Sequence, residues 1–561
     1  MNTFIPGIIL AIALLFPLSS HAQLSREEIR QIDSLFIAWN QPNHPGGAVG
    51  IMKGGKIIYS KAFGHASLEY LVPNTPDTRF NIASVSKQFT GMGMVLLHLK
   101  GKLSLDDDVR KYLPGLPDFG DTITIRHMIH HTSGLRSLHA LLGMAGWRDD
   151  DYRTNEDLFR FLKNQQDLNF SPGDEYLYCN SGYMLMADII ETITGEKFAD
   201  WMYANVFEPL GMVHTYVEDQ YNRIVPFNAT SYYGSAGNGF SRAVEYWGYV
   251  GSGNVHSTTE DLLKWLENFH HPAPGWENVF DLMKTRGILN NGDTLDYAFG
   301  INIDEYKGEK RISHGGSIGG YRSLVEAFPD QGLNVVLLTN FSSSEVGSKM
   351  DHISDLLLQL EPAGATGLIT ASSIASIQLP GQELEKCCGH YWNEENLYQR
   401  IIYLKDDTLR YARPESLESK LLPLSANEFQ MADVAKVIRV LFEISPGGRK
   451  AMMVQVGDED PIRLESFNPP EITPDLLRSY TGRYYSPELD THYSFYVVGD
   501  SVLMGNHPRH GDFRINIIRT DYLEGKLSTF SGIRVKRDSK QRILGLYVSN
   551  GRVRNCWFEK R

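Results

Sequence analysis

The chain has 561 residues, of which 42% are hydrophobic and 22% are charged, and its formal net charge at pH 7 is −13. This composition is typical of globular proteins, and the length is sufficient for about two to four domains. Because the balance of charge is acidic and the sequence contains no Lys/Arg-rich run, nucleic acid is disfavoured as a partner.

The N-terminus has the pattern of a secretory signal peptide. Residues 1–22 carry no charged side chain, residues 8–18 are mostly apolar, and a small-x-Ala sequence ends at Ala22. We therefore expect cleavage before Gln23 and export to the periplasm or the medium, with an uncleaved membrane anchor as the alternative. No later segment reaches the ~20 apolar residues of a spanning helix, so no stable membrane span is expected after cleavage.

The cysteines do not indicate a disulfide framework or a metal site. There are four, Cys179, Cys387, Cys388 and Cys556; three lie in the last third of the chain and two are adjacent. No Cys/His cluster has the ligand spacing of a zinc site. No metal and no organic cofactor is implied.

The first predicted elements are a helix, a hairpin and a second helix. Apolar residues recur at three- and four-residue steps over residues 24–40, which predicts an amphipathic helix. Residues 47–53 and 56–63 are typical of two strands around the glycine pair at 54–55. Residues 84–100 then predict a helix that ends at a glycine.

A mostly helical region follows, and strands return near residue 300. Residues 300–303, 311–313, 321–328 and 333–338 have strand patterns, and residues 345–360 predict a closing helix. Strands at both ends of a region with a helical interior favour an antiparallel sheet covered by helices. The predicted class is α+β, an α/β sandwich with a helical subdomain.

The last part of the chain contains an internal repeat. Residues 361–384 are rich in small residues and proline and indicate a linker. Beyond them, residues 389–392 match residues 482–485 at an offset of 93, and the same register continues without a gap over about 65 residues. Each copy, about 385–470 and 478–561, is a series of short strands that resembles half a sheet. The two copies therefore predict an all-β domain over 385–561, a β-barrel or two packed sheets.

Ser84 and Lys87 are the first pair of residues that indicate chemistry. Residues three apart on a helix share a face, so the lysine amine can lie beside the serine hydroxyl. Serine is a weak nucleophile, and a desolvated lysine with a lowered pKa is a base that can activate it. The pair predicts an acyl-transfer enzyme.

Two further motifs follow in order. Tyr178 and Asn180 form a Tyr-x-Asn sequence ahead of a helical pattern. A nearby lysine cation favours the phenolate, so Tyr178 is a candidate general base and acid, and the Asn180 amide can hold the lysine or a substrate carbonyl. Later, His314 precedes a glycine-rich stretch in which Gly316 allows close approach of the backbone and the N–H of Ser317 can bind an oxyanion.

Together these motifs resemble the serine β-lactamase and penicillin-binding-protein superfamily, in particular its class C β-lactamase-related group of DD-carboxypeptidases, D-aminopeptidases and esterases. Residues 125–135 and 251–262 also resemble family signatures, and the similarity covers roughly residues 25–360. The resemblance implies that Ser84 is the nucleophile and that Lys87 and Tyr178 share acid/base work, with the first base left open.

The resemblance also implies that Asn180 positions the substrate or Lys87, that His314 occupies the third motif, and that the N–H groups of Ser84 and Ser317 form the oxyanion hole. β-Lactamases usually carry lysine where this chain has His314. A histidine with a pKa near ~6.5 is mostly neutral at pH 7, so anion binding is expected to be weaker and pH-dependent. The predicted function is an exported peptidase or amidase on short or D-amino-acid-containing peptides, acting through an acyl-enzyme.

Several alternatives remain open. A carboxylesterase or weak β-lactamase uses the same residues, and a non-catalytic penicillin- or peptide-binding sensor keeps the fold without turnover. Residues 315–319 also match the Gly-x-Ser-x-Gly elbow of α/β-hydrolases. The C-terminal domain resembles the lipocalin-like domains of some family members, in which it borders the active site or builds oligomers. It is therefore a candidate surface for homo-oligomerisation.

Overall fold

The computed structural model describes residues 23–360, 370–413, 417–445 and 447–561. The predicted signal peptide, residues 1–22, and residues 361–369 of the predicted linker lie outside the described residues. Across the described ranges, no helix combines the length and apolar character needed to cross a membrane.

A six-stranded antiparallel sheet forms the centre of the N-terminal region, residues 23–360. The strands, in spatial order, are Asn302–Tyr306, Glu309–Ile318, Tyr321–Phe328, Leu333–Thr339, Gly47–Lys53 and Lys56–Phe63. The first strand in the chain pairs with a late one, with Gly47 opposite Thr339 and Lys53 opposite Leu333. The two ends of this region therefore meet in the middle of one sheet.

Helices cover both faces of this sheet. Arg26–Ser34 and Val346–Leu358 share an apolar core with one face, while Thr259–Glu267 and Lys87–Leu99 belong to the core on the other. The helical subdomain contains Ile125–Ile129, Leu138–Met144, Asn155–Leu162, Asn180–Thr194, Phe198–Met202 and Glu277–Met283. The predicted α+β class, an antiparallel sheet covered by helices with a helical subdomain, is confirmed.

Several short sheets lie outside the central sheet. They pair His65–Ser67 with Val72–Pro73, Phe80–Asn81 and Tyr216–Val217 with Val255–Ser257, and Tyr232–Ser235 with Gly239–Arg242.

The first of the predicted helices is shorter than the predicted range of 24–40. It begins after the capping residue Ser25 and ends at Ser34, and a 3₁₀ turn over Ile37–Asn40 follows.

The C-terminal part contains two closed antiparallel barrels. The strands of the first barrel are Gly389–Asn393, Tyr398–Lys405, Thr408–Ala412, Glu418–Pro423, Glu428–Met431, Ile438–Ile444, Lys450–Val456 and Ile462–Phe467. The strands of the second barrel are Gly482–Ser486, Thr491–Val498, Val502–His507, Gly511–Arg519, Tyr522–Gly525, Gly532–Arg537, Ile543–Asn550 and Val553–Lys560. Each repeat therefore closes on itself, whereas the sequence suggested half-sheets that combine. Eight short strands suffice for closure, because the first and last strands of each copy pair.

The offset of 93 also relates the structures of the two barrels. Their second strands begin at Tyr398 and Thr491, which are 93 positions apart. The aligned tyrosines Tyr391 and Tyr484 are both buried, and each hydroxyl donates to a carbonyl four residues earlier at 2.7 Å. Residues 391–393 repeat the Tyr-x-Asn pattern of residues 178–180, and in this second occurrence the tyrosine is part of a barrel core.

The second barrel packs directly on the helical subdomain. The Arg136 guanidinium lies 2.5 Å from the Glu488 carboxylate, and these side chains are 1% and 3% exposed. The Tyr493 hydroxyl donates to the Met144 carbonyl at 3.0 Å. Because a buried ion pair is costly to break, this contact fixes the barrel beside the helix Leu138–Met144.

Candidate active site

Ser84 lies in a tight turn at the start of a buried helix. The 3₁₀ turn Ala83–Ser86 leads into the helix Lys87–Leu99, so the predicted helix over 84–100 begins one turn late. Ala83 has a φ of 50°, a strained value for a residue with a side chain. The Asn81 side chain accepts a hydrogen bond from the Ala83 N–H at 2.9 Å and holds this turn in place.

The spacing of Ser84 and Lys87 produces the contact that the sequence predicts. The Lys87 Nζ donates to the Ser84 Oγ at 3.1 Å and to the Ser252 carbonyl at 2.7 Å. It also lies 4.9 Å from the centre of the Tyr178 ring and 5.7 Å from that of Tyr183. Lys87 is fully buried and has no carboxylate partner among its contacts in the described residues.

Burial changes the protonation of Lys87. Desolvation lowers its pKa well below the ordinary 10.5, and the positive charge of Arg552 lowers it further. An amine in this environment loses its proton far more easily than a surface lysine. The Lys87 nitrogen can therefore present a lone pair to Ser84 at a lower pH than an exposed lysine could.

Tyr178 and Asn180 come from another segment of the chain and also lie near Ser84. The Tyr178 hydroxyl is buried beside Ser84, although the two hydroxyls do not meet hydrogen-bond geometry. Burial raises the pKa of Tyr178, and the neighbouring Ser84 and Arg552 only partly oppose this rise. The sequence favoured a more acidic phenol, but the structure favours the protonated one because desolvation outweighs the nearby charge.

Asn180 begins the helix Asn180–Thr194 and lines the same cleft as Ser84. Its Oδ1 atom is buried and has no hydrogen-bond partner among the described residues. An unpaired buried oxygen is costly, so this amide is suited to receive an N–H donor from a bound ligand.

The strand Glu309–Ile318 forms the opposite wall. It is longer than the predicted strand over 311–313, because Gly315 and Gly316 carry no side-chain pattern, yet both pair with the neighbouring strand. Ser317 lines the cleft with Ser84. A second strand follows after Ser317, so this stretch is not the strand–turn–helix of an α/β-hydrolase elbow.

His314 does not face the cleft as an anion-binding group. Its Nδ1 pairs with the Gly315 carbonyl at 2.7 Å and its Nε2 with the Tyr297 hydroxyl at 3.1 Å, so both ring nitrogens are occupied. Burial, aided by Lys87, lowers the pKa of His314 to about 3. The ring is therefore neutral at pH 7, and any change in its charge would fall well below neutral pH.

Gly316 is the point at which this strand touches the turn that carries Ser84. A Cβ atom there would lie 2.3 Å from the Ile82 carbonyl oxygen and 2.2 Å from the Ser323 Oγ. We expect Gly316→Ala to push the strand away, to lower the free energy of unfolding by about 1–3 kcal/mol, and to slow covalent labelling of Ser84. Denaturant unfolding and the labelling rate measure the two effects.

The neighbouring glycine provides the control for this prediction. A Cβ atom on Gly315 would make only ordinary contacts, 3.8 Å to the Leu324 Cδ1 and 3.9 Å to the Ser323 carbonyl oxygen. Gly315→Ala is therefore expected to match the parent in both measurements. Equal behaviour of the Gly316 and Gly315 variants would contradict this packing argument.

The cleft also contains residues that the sequence did not single out. It has a volume of about 290 Å³, and Ser84, Asn180, Ser317 and Arg552 are among its lining residues. Arg552 comes from the second barrel and lies 4.9 Å from the Tyr178 ring. No local motif could have identified it, since its proximity depends on how the barrel packs. His44 begins the same His-x-Gly pattern as residues 314–316, but its ring packs against Phe240 and Phe341 away from the cleft.

The model of the Beta-lactamase family matches residues 29–359, more than half of the chain. Penicillin-binding protein 4* of Bacillus subtilis (strain 168) is 31% identical over 337 residues, which are 56% of this chain and 73% of that protein. A D-aminopeptidase of Gluconobacter oxydans (strain 621H) is 28% identical over 328 residues, 58% of this chain and 62% of the enzyme. The chain belongs to the Beta-lactamase family and is a serine hydrolase of the β-lactamase and transpeptidase superfamily.

Solved structures share the fold. The octameric penicillin-binding protein homologue from Pyrococcus abyssi matches with a TM-score of 0.55 and 24% identity, over 78% of this chain and 100% of that one. The D-amino acid amidase from Ochrobactrum anthropi SV3, solved with L-phenylalanine, matches with a TM-score of 0.50 and 20% identity, over 59% of this chain and 99% of the amidase.

Proposed function

We propose that this protein is an exported peptidase or amidase that cleaves short or D-amino-acid-containing peptides through an acyl-enzyme on Ser84. The observation that carries this proposal is the buried contact of 3.1 Å between the Lys87 amine and the Ser84 hydroxyl. The D-aminopeptidase among the relatives supports the choice of an amide substrate.

The protonation of the two candidate bases supports an order of events. Lys87 has a lowered pKa and Tyr178 a raised one, so the amine is the better acceptor and the phenol the better donor. Lys87 takes the Ser84 proton as the Oγ attacks the carbonyl carbon. Tyr178 then gives its proton to the leaving nitrogen as the C–N bond breaks, and the Lys87 ammonium returns a proton to the Tyr178 phenolate. In the second step the Lys87 amine takes a proton from the water that attacks the ester carbonyl, and this proton passes to the Ser84 oxygen as the acyl C–O bond breaks.

The remaining residues of the cleft serve to hold the substrate. The backbone N–H groups of Ser84 and Ser317 are the oxyanion donors in this scheme, and the unpaired Asn180 Oδ1 accepts from a substrate amide. Gly316 lets the strand approach the nucleophile, and His314 fixes that strand through its contacts with Gly315 and Tyr297.

A substrate panel tests this proposal. Purified protein is offered D- and L-aminoacyl amides, blocked dipeptides, short esters and a cephalosporin, with Ser84→Ala as the control. We expect amide or peptide hydrolysis that the Ser84 variant lacks, and slow or absent β-lactam turnover. Rapid cephalosporin hydrolysis, or peptide hydrolysis that survives in the Ser84 variant, would contradict it.

Export and self-association are further parts of the proposal. Export rests on the sequence of residues 1–22, and a mature N-terminus at Gln23 in the secreted or periplasmic fraction would support it. The two barrels offer a surface for a homo-oligomer, and the sequential order of their strands supports a lipocalin-like architecture.

A further inference from the structure

Arg552 is a cation of the cleft that the reaction scheme does not use. Arg552 is exposed, lines the cleft with Ser84, and places its guanidinium 4.9 Å from the centre of the Tyr178 ring. Within the described ranges, this guanidinium makes no hydrogen bond and no ion pair. Its donors are therefore available to a ligand.

The position of Arg552 is built into the second barrel. It lies in the tight turn between the strands Ile543–Asn550 and Val553–Lys560, and the Asn550 side chain accepts from its N–H at 3.1 Å. Its carbonyl accepts from the Ser137 N–H at 3.3 Å and from the Asn169 side chain at 3.2 Å. These contacts fix the hairpin tip against the helical subdomain.

Neighbouring cations are already neutralised. Arg554, two residues further along, forms two hydrogen bonds of 3.0 and 2.9 Å with the Glu175 carboxylate. Arg153, which also lines the cleft, lies 3.2 Å from Asp149. Among these three arginines, Arg552 alone keeps an uncompensated charge within the described residues, so the cleft favours an anionic group at this point.

The location beside Tyr178 defines where that anion lies on the substrate. In the proposed reaction the Tyr178 hydroxyl serves the leaving nitrogen. When the leaving group is the C-terminal amino acid of a peptide, its carboxylate carbon is two bonds from the leaving nitrogen. The carboxylate therefore lies close to Tyr178, which protonates that nitrogen. A guanidinium fork matches the geometry of a carboxylate, and stacking on an aromatic ring leaves its N–H edges free.

We propose that Arg552 binds the free C-terminal carboxylate of the substrate and makes the enzyme a carboxypeptidase that removes the last residue of a short peptide. This inference rests on the proposed function of Ser84. The residue that determines specificity then lies in the second barrel, and Arg552 provides the positive charge for anion binding that His314 does not provide.

The test compares two substrates that differ in one group. Blocked dipeptides that end in D- or L-alanine are prepared as the free acid and as the C-terminal amide, and kcat/KM is measured for each. The parent is expected to prefer the acid. In Arg552→Ala the ratio of kcat/KM for the acid to kcat/KM for the amide is expected to fall about 10- to 100-fold. Arg552→Lys is expected to restore only part of this ratio, because the lysine ammonium keeps the charge but lacks the two parallel N–H donors of the guanidinium.

Arg514→Ala is the matched control, since Arg514 is an exposed arginine of the same barrel that does not line the cleft. It is expected to keep the parental ratio. A parent that hydrolyses the amide as well as the acid, or an Arg552→Ala ratio equal to that of the parent, would overturn the role of Arg552. If instead neither peptide is cleaved and Ser84 takes no fluorophosphonate label, the proposed function itself fails and the carboxylate site with it.

Discussion

Replacing Lys87 by methionine is expected to lower kcat/KM about 10³- to 10⁴-fold while the protein still folds. Methionine has a similar length and tolerates full burial, so the helix Lys87–Leu99 keeps its packing. The variant loses the amine that lies 3.1 Å from the Ser84 Oγ, and general-base catalysis commonly contributes a factor of about 10²–10⁴. Steady-state kinetics on an amide substrate and a thermal melt measure the two properties.

The variant Lys87→Arg distinguishes a role of Lys87 as a base from a role as a positive charge only. Arginine keeps the cation but does not lose its proton in proteins, so this variant is expected to be as inactive as Lys87→Met. The parent kcat/KM is expected to rise with pH through a pKa well below 10.5, because deprotonation of Lys87 creates the active form. An arginine variant with more than a tenth of the parental activity would contradict the role of Lys87 as a base.

Tyr178→Phe is expected to reduce amide hydrolysis about 10²- to 10³-fold and to reduce hydrolysis of an activated aryl ester much less. Phenylalanine preserves the ring that lies 4.9 Å from Lys87 and 4.2 Å from the His131 ring, so the change removes only the hydroxyl. Amide nitrogen needs a proton to leave, whereas an activated phenolate does not. Kinetics on a matched amide and ester pair measure this difference.

Tyr176 provides the control for that experiment. Its ring belongs to the same aromatic cluster, 5.9 Å from His131, but it does not line the cleft. Tyr176→Phe is expected to stay within about twofold of the parent on both substrates. Equal losses on amide and ester in Tyr178→Phe would indicate a structural role for its hydroxyl instead of proton donation.

Much of the fold could be predicted because its signals are local. The apolar periodicity of the helices, the glycine turn between the first two strands and the offset of 93 between the barrels all lie in short stretches of sequence. The contact of Ser84 with Lys87 follows in the same way from helical spacing. Closure of each repeat into its own barrel was not predicted, because strand pairing between the first and last strands is a long-range property.

The protonation states could not be predicted from the motifs. They depend on burial, which raises the pKa of Tyr178 and lowers the pKa of His314 to about 3. The Ser252 carbonyl that accepts from Lys87 and the Arg552 guanidinium reach the site from distant parts of the chain. Residues 251–262 were singled out only by a family resemblance, and no local pattern indicates that either group approaches Ser84, since that depends on how separate layers and domains pack.

The charges in the cleft have a consistent physical origin. Lys87 is buried without a carboxylate partner among the described residues, and both ring nitrogens of His314 form hydrogen bonds. The buried environment therefore favours the neutral forms of these two side chains. Arg552 is exposed at the cleft, with its guanidinium 4.9 Å from the centre of the Tyr178 ring. In the proposed reaction, this separation lets the Lys87 amine act as a base while the Arg552 guanidinium attracts an anionic substrate.

Peptide mapping of a covalent label tests the central claim most directly. The protein is treated with a fluorophosphonate probe, digested, and the modified residue is located by mass spectrometry. We expect one label per chain on Ser84, lost in Ser84→Ala and strongly slowed in Lys87→Met. A label on Ser317 instead, or no label on a folded protein that still hydrolyses peptides, would contradict the assignment of Ser84 as the nucleophile.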